Sequence, residues 1–124
     1  MKRILLVDDE ADTLRTYSDL LSSEGYEVAT ASSGDEATGM IDGYRPDLIL
    51  LDVMMPGKSG LEVARELSGR RETQDIPIVM ITALSSVPSP HGNESIPGVR
   101  RFIYKPCRPR TLLEGVDHVL RYGR

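Results

Sequence analysis

Cysteine occurs once in this 124-residue chain, as Cys107, so no internal disulfide can form, in keeping with a reducing compartment. Long apolar runs are missing as well. No stretch approaches the roughly 20 residues of a membrane-spanning helix, and the N-terminus enters a strand-like run at once instead of a signal peptide. No membrane role is expected, and the cytoplasm is the expected location. Positive charge is not in excess: 15 basic against 19 acidic residues give a net charge of -4, which argues against direct nucleic-acid binding by this chain. The two histidines, His91 and His118, have no metal-ligand spacing to each other and read as surface residues. What remains is an ordinary globular composition, 40% apolar and 27% charged. The length fits one domain over residues 1–124, able to bury a core without disulfide or metal staples.

Apolar runs of strand length alternate with segments of helical period, the pattern of βα units around a parallel sheet. Five runs can be read: Ile4-Leu5-Leu6-Val7, Tyr26 to Thr30, Leu48-Ile49-Leu50-Leu51, Ile78-Val79-Met80-Ile81, and Arg100 to Tyr104. Runs one, three and four are continuously apolar, as strands covered by helices on both faces are. Runs two and five mix in polar residues and read as edges. Right-handed crossovers then imply an α/β, flavodoxin-like, doubly wound five-stranded parallel sheet of order 2-1-3-4-5, with the topological switch between strands one and three. Ligands bind beyond the carboxyl ends of strands at such a switch.

The first helix is expected near Glu10 to Glu24, with Ala11, Leu14, Tyr17 and Leu21 on its apolar stripe and Gly25 as its stop. Ser33 with Glu36, and Ser59 with Glu62, form capping-box pairs that open two later helices. A last helix from about Pro109 carries Leu112, Leu113, Val116, Val119 and Leu120 on one stripe. Between the fourth and fifth runs the rhythm breaks. Residues 84–98 hold three prolines and two glycines, so helix four is expected to be short or replaced by an irregular, mobile loop.

The ends of four runs carry the chemistry: Asp8-Asp9 after the first, Asp52 after the third, Thr82 after the fourth and Lys105 after the fifth. A single aspartate at a strand end is ordinarily an N-cap or turn residue. Four strands that deliver two acidic sites, a hydroxyl and an ammonium to one edge form a convergent polar set instead. Packed carboxylates repel one another, and such a cluster normally holds a cation. All-oxygen ligation suits Mg²⁺, which neutralises and orients a transferring phosphoryl group. A carboxylate can then act as nucleophile to give an acyl phosphate, with Lys105 and the Thr82 hydroxyl directed at phosphate oxygens.

Asp8-Asp9, the stretch Asp52-Val53-Met54-Met55-Pro56-Gly57-Lys58-Ser59-Gly60, Thr82-Ala83 and Lys105-Pro106 stand in the order and spacing of a known family. The chain resembles a response-regulator receiver domain of two-component signalling, essentially from Met1 to Arg124. The resemblance implies that Asp52 accepts phosphate from a histidine kinase or phosphotransfer protein. It also implies that Asp9 and Asp52 ligate Mg²⁺ directly with the backbone carbonyl of Met54, while Asp8 acts mostly through water. Thr82 and Phe102 are the implied switch: the threonine moves toward the phosphate and the aromatic turns inward behind it, unless Phe102 is a plain edge-strand core residue. The domain would catalyse only its own phosphorylation and dephosphorylation, and is not expected to be an enzyme otherwise.

The family's usual surface for dimerisation and output lies on the fourth helix, fifth strand and fifth helix, where this chain carries its Pro/Gly-rich segment. Partner recognition there is expected to be altered or to depend on ordering of that segment, and the downstream partner stays unnamed. Arg100 and Arg101 read as part of a solvated edge strand. Cys107 reads as a quiet, partly buried thiol, and Met54 and Met55 as packing around the loop. With no effector-like segment after the last helix, the chain reads as a stand-alone relay or a receiver cut from a longer protein. A haloacid-dehalogenase-type phosphatase would need a second aspartate two residues after the nucleophile, where Met54 and Glu10 stand. A flavin carrier would need a Ser/Thr/Gly-rich loop after strand one. A receiver-like module that binds proteins without phosphorylation is the remaining alternative, and the complete Asp, Thr and Lys set speaks against it.

Overall fold

Residues 1–83, 96 and 98–124 are described in the computed structural model. The expected irregular segment at 84–98 falls almost wholly on positions outside these described residues. Nine elements follow one another: β1 (Arg3–Val7), α1 (Ala11–Ser23), β2 (Glu27–Ala31), α2 (Gly34–Tyr44), β3 (Leu48–Asp52), α3 (Gly60–Ser68), β4 (Ile78–Ala83), β5 (Val99–Lys105) and α4 (Pro109–Tyr122) among the described residues. The last helix expected from Pro109 is α4 in this numbering.

The five strands form one parallel sheet in the order β2-β1-β3-β4-β5, with the two polar-mixed runs at its edges as their composition requires. β1, β3 and β4 are buried along nearly their whole length. Alternate side chains divide the core in two. Leu5, Val7, Ile49, Leu51, Ile78 and Met80 face Ala37 and Ile41 of α2 and Val63, Ala64 and Leu67 of α3. Ile4, Leu6, Leu48, Leu50, Val79 and Ile81 face Leu21 of α1 and Leu112, Val116 and Val119 of α4. Gly115 lets α4 settle close to β5, since a Cβ there would stand 2.9 Å from Ile103 Cδ1.

Helix termini follow the local chemistry with two differences. The Ser33 hydroxyl accepts the Glu36 N–H at 3.1 Å, but the Glu36 carboxylate reaches back to the Ser32 N–H at 3.2 Å, one residue earlier than a capping box places it. Ser59 accepts the Glu62 N–H at 3.2 Å, with no returning bond from Glu62 among the described residues. In the β4–β5 pairing Ile78 faces Val99 and Val79 faces Arg101, so Arg100 is left over as a bulge on the edge strand.

Candidate functional site

Parallel strands end on the same side, and the register brings the expected polar residues together there. Asp52 is the last residue of β3 and pairs with Ile81; Thr82 pairs with Tyr104 and Ala83 with Lys105. Asp8 follows β1 directly, and its N–H donates to Ala31 of β2 at 3.1 Å. Asp8 and Asp52 are buried at 0% and 4% exposure, while Asp9 is exposed.

Lys105 lies between the two buried carboxylates. Its Nζ donates to Asp8 Oδ2 at 2.9 Å and to Asp52 Oδ2 at 3.3 Å. The contact with Asp8 adds to the expected role of Lys105, which was directed at a phosphate oxygen alone. The second oxygen of each aspartate is also engaged: Asp8 Oδ1 accepts the Glu10 N–H at 2.9 Å, and Asp52 Oδ1 accepts the Met54 N–H at 3.2 Å. Burial pushes the Asp52 carboxyl above its ordinary pKa, the Lys105 charge pulls it back, Asp8 adds to the rise and the Met54 N–H opposes it. Lys105 also loses hydration by burial, but the two carboxylates outweigh that loss and raise its pKa. It is therefore a fixed positive charge at any physiological pH.

Asp8, Asp9 and Asp52 each offer a carboxylate oxygen within 4.8 Å of the others. Against them stands one ammonium, so three negative charges and one positive leave a formal charge of -2. Hard oxygen donors with that residual charge fit Mg²⁺. Thr82 supplies the other side of the site. Its Oγ1 is buried with no hydrogen-bond partner among the described residues, an arrangement that favours any arriving acceptor.

The loop from Val53 to Ser59 covers one flank. Met55 is buried, as expected of a packing residue, but Met54 is 59% exposed. Its side chain projects outward while its N–H serves Asp52, so packing was the wrong expectation for Met54. Gly60 was missed as a site residue: a Cβ there would lie 2.1 Å from the Asp52 carbonyl oxygen. Its N–H donates to Val53 at 2.9 Å and closes the loop. A glycine directly after the capping Ser59 was the available signal. Phe102 is half-buried, packs against the α2–α3 side of the core and stacks on Tyr104 with centroids 6.4 Å apart. Cys107 is half-buried as expected, with its Sγ 3.8 Å from the Tyr17 hydroxyl. His118 is exposed, and His91 lies outside the described residues.

A cavity of about 560 Å³ between Ile41, Arg45, Pro46, Arg70, Thr73 and Ile76 lies at the ends of the strands opposite this site. No helix among the described residues is long and apolar enough to cross a membrane.

Comparison with known proteins agrees with this geometry. The response regulator receiver domain model matches residues 4–117. The phosphate regulon transcriptional regulatory protein PhoB of Pseudomonas aeruginosa is 41% identical over 120 residues, 97% of this chain and 52% of that protein. The chain spans about half the length of the first curated relatives it matches. Among solved structures, the Vibrio cholerae chemotaxis protein CheY4 superposes with a TM-score of 0.87 at 32% identity, covering 96% of this chain and 98% of that one. The response regulator TrrA of Thermotoga maritima, solved in complex with Mg²⁺-BeF, gives a TM-score of 0.82 at 36% identity, with coverage of 96% and 99%.

Proposed function

This chain belongs to the response-regulator receiver family, and from that premise we propose that Asp52 is its phosphoacceptor in a Mg²⁺-dependent transfer. A histidine kinase or phosphotransfer protein is the donor. The observation that carries the reading is the meeting of buried Asp8 and Asp52, both bonded to Lys105, with a Thr82 hydroxyl that has no partner among the described residues.

In the transfer, an Asp52 carboxylate oxygen attacks phosphorus, the P–N bond to the donor imidazole breaks with its electron pair going to nitrogen, and the imidazole leaves neutral, keeping the proton already on its other ring nitrogen. The product is an acyl phosphate. Lys105 and the Met54 N–H favour the charged Asp52 carboxylate that this step needs, against the burial that raises its pKa. Lys105 then turns from the aspartates to a phosphoryl oxygen. Thr82 donates to another and gains a partner that it lacks among the described residues. Asp9, Asp52 and the Met54 carbonyl are the proposed metal ligands, with Asp8 behind them; Mg²⁺, when bound, would neutralise charge on the phosphoryl oxygens. Support for the pairing of metal and phosphoryl-like group comes from TrrA, which was solved with Mg²⁺-BeF. Phe102 packs behind Met80, its partner on β4, in a position to follow a movement of Thr82.

The test is incubation with Mg²⁺ and acetyl phosphate, followed by intact mass. Wild type gains one phosphoryl group and Asp52→Asn gains none. Gain in both proteins would remove Asp52 as the acceptor, and gain in neither would favour a receiver-like module that works without phosphorylation.

A further inference from the structure

Lys58 stands in the 53–59 loop, six residues beyond Asp52, and the geometry points to it as a positioning residue for the Mg²⁺ side of the site. This rests on the function proposed above. Its Nζ lies 2.7 Å from Glu66 Oε1 of α3 and 3.4 Å from Asp35 Oδ1 at the start of α2, and its side chain is 22% exposed. One ammonium therefore ties the loop to two helices.

The loop needs such a tie. Met54, Pro56 and Gly57 are exposed. Gly57 sits at φ +73 with no other atom within 4 Å of the place its Cβ would take. The buried Met55 anchors one end of this span and Lys58 the other. The backbone reinforces the second anchor: a Cβ on Gly34 would meet the Lys58 carbonyl oxygen at 2.8 Å and Lys58 Cβ at 2.9 Å, so the loop rests directly on the first residue of α2. Pro56 and Gly57 lie between the anchors, and Met54, whose N–H bonds Asp52 and whose carbonyl is a proposed metal ligand, stands directly before Met55. A loop freed at Lys58 would hold that carbonyl less well.

A partly exposed ion pair can also be a mere surface contact. Coulomb's law separates the two roles by sign. Removing the Lys58 charge makes the surroundings of an acidic site more negative, so charge alone would tighten Mg²⁺ binding. Loss of positioning would weaken it.

Titration calorimetry with Mg²⁺ is the readout. In Lys58→Met the dissociation constant is expected to rise roughly threefold to fivefold, the scale of one such ion pair, while Lys58→Arg stays within about twofold of wild type. Lys58→Met/Glu66→Gln should lose little beyond Lys58→Met alone, because the second change removes an interaction already gone. Unchanged or tighter binding in Lys58→Met would overturn the role. Should Lys58→Met fail to fold, the exchange Lys58→Glu/Glu66→Lys keeps both charges, and binding more than about tenfold weaker than wild type would count against the role. A wild type that neither binds Mg²⁺ nor accepts phosphate sinks the proposed function and this role together; wild-type binding with unaffected Lys58→Met sinks only the role of Lys58.

Discussion

At Thr82 a hydroxyl is buried with no hydrogen-bond partner among the described residues, a condition that costs about 1–3 kcal/mol. Thr82→Val keeps the shape and removes the polar atom. It is expected to raise the free energy of unfolding in urea by about 1 kcal/mol, and to weaken the response to phosphorylation because no donor is left. A destabilised Thr82→Val would mean that the hydroxyl has a partner after all. The opposing signs at one residue fit a site whose strained element becomes satisfied only in the working state. Asp52 shows a related opposition: desolvation raises its pKa, and the ammonium it shares with Asp8 lowers it in part.

At the scale of elements, β1, β2 and α2 are joined by a polar cluster at the end of the sheet away from the site. Arg3 bonds the Tyr44 carbonyl at 2.9 Å and approaches Glu27 at 3.3 Å, while the Tyr44 hydroxyl donates to the Glu27 carbonyl at 3.2 Å. Burial and the neighbouring Glu27 raise the Tyr44 pKa to about 12 from the ordinary 10.0. Folding thus favours the protonated phenol. This contribution is full below pH 10, where both states hold the proton, and is lost as pH rises through about 12. Unfolding free energy measured from pH 9 to 12 should therefore fall less steeply in Tyr44→Phe than in wild type. Equal slopes would show that Tyr44 does not contribute to the alkaline loss. The loop after β3 obeys the same logic of a few contacts fixing an element: Gly60 permits its close return to Asp52, and Lys58 ties its far end to α2 and α3.

For the whole molecule, ligand binding and folding are linked. An ion that binds only the folded state at ten times its dissociation constant adds about 1.4 kcal/mol of stability. Mg²⁺ should accordingly raise the melting temperature of wild type, by several degrees for a domain of this size, and should do so far less for Asp9→Ala. An equal rise in both would refute Asp9 as a ligand. The parts of the site come from four strand ends of a parallel sheet covered on both faces, so they meet at one end of the sheet.

The sheet was legible in the residues because a strand buried on both faces must be continuously apolar and an edge strand need not be. Both properties belong to short stretches of chain. The identities of Asp8, Asp9, Asp52, Thr82 and Lys105 were legible for a similar reason, since each directly ends or follows a recognisable run. What the residues alone could not decide is who bonds whom across the molecule. Lys105 reaches Asp8 over a separation of 97 positions, Gly60 faces the Asp52 carbonyl only because the loop closes on itself, and Met54 points outward because Met55 takes the buried place. Sequence by itself determined the pattern of elements and the chemistry at their ends, which depend on local period and side-chain type. Tertiary structure decided the shared lysine, the close glycine and the Lys58 tie, because distances between remote residues exist only once the sheet has closed.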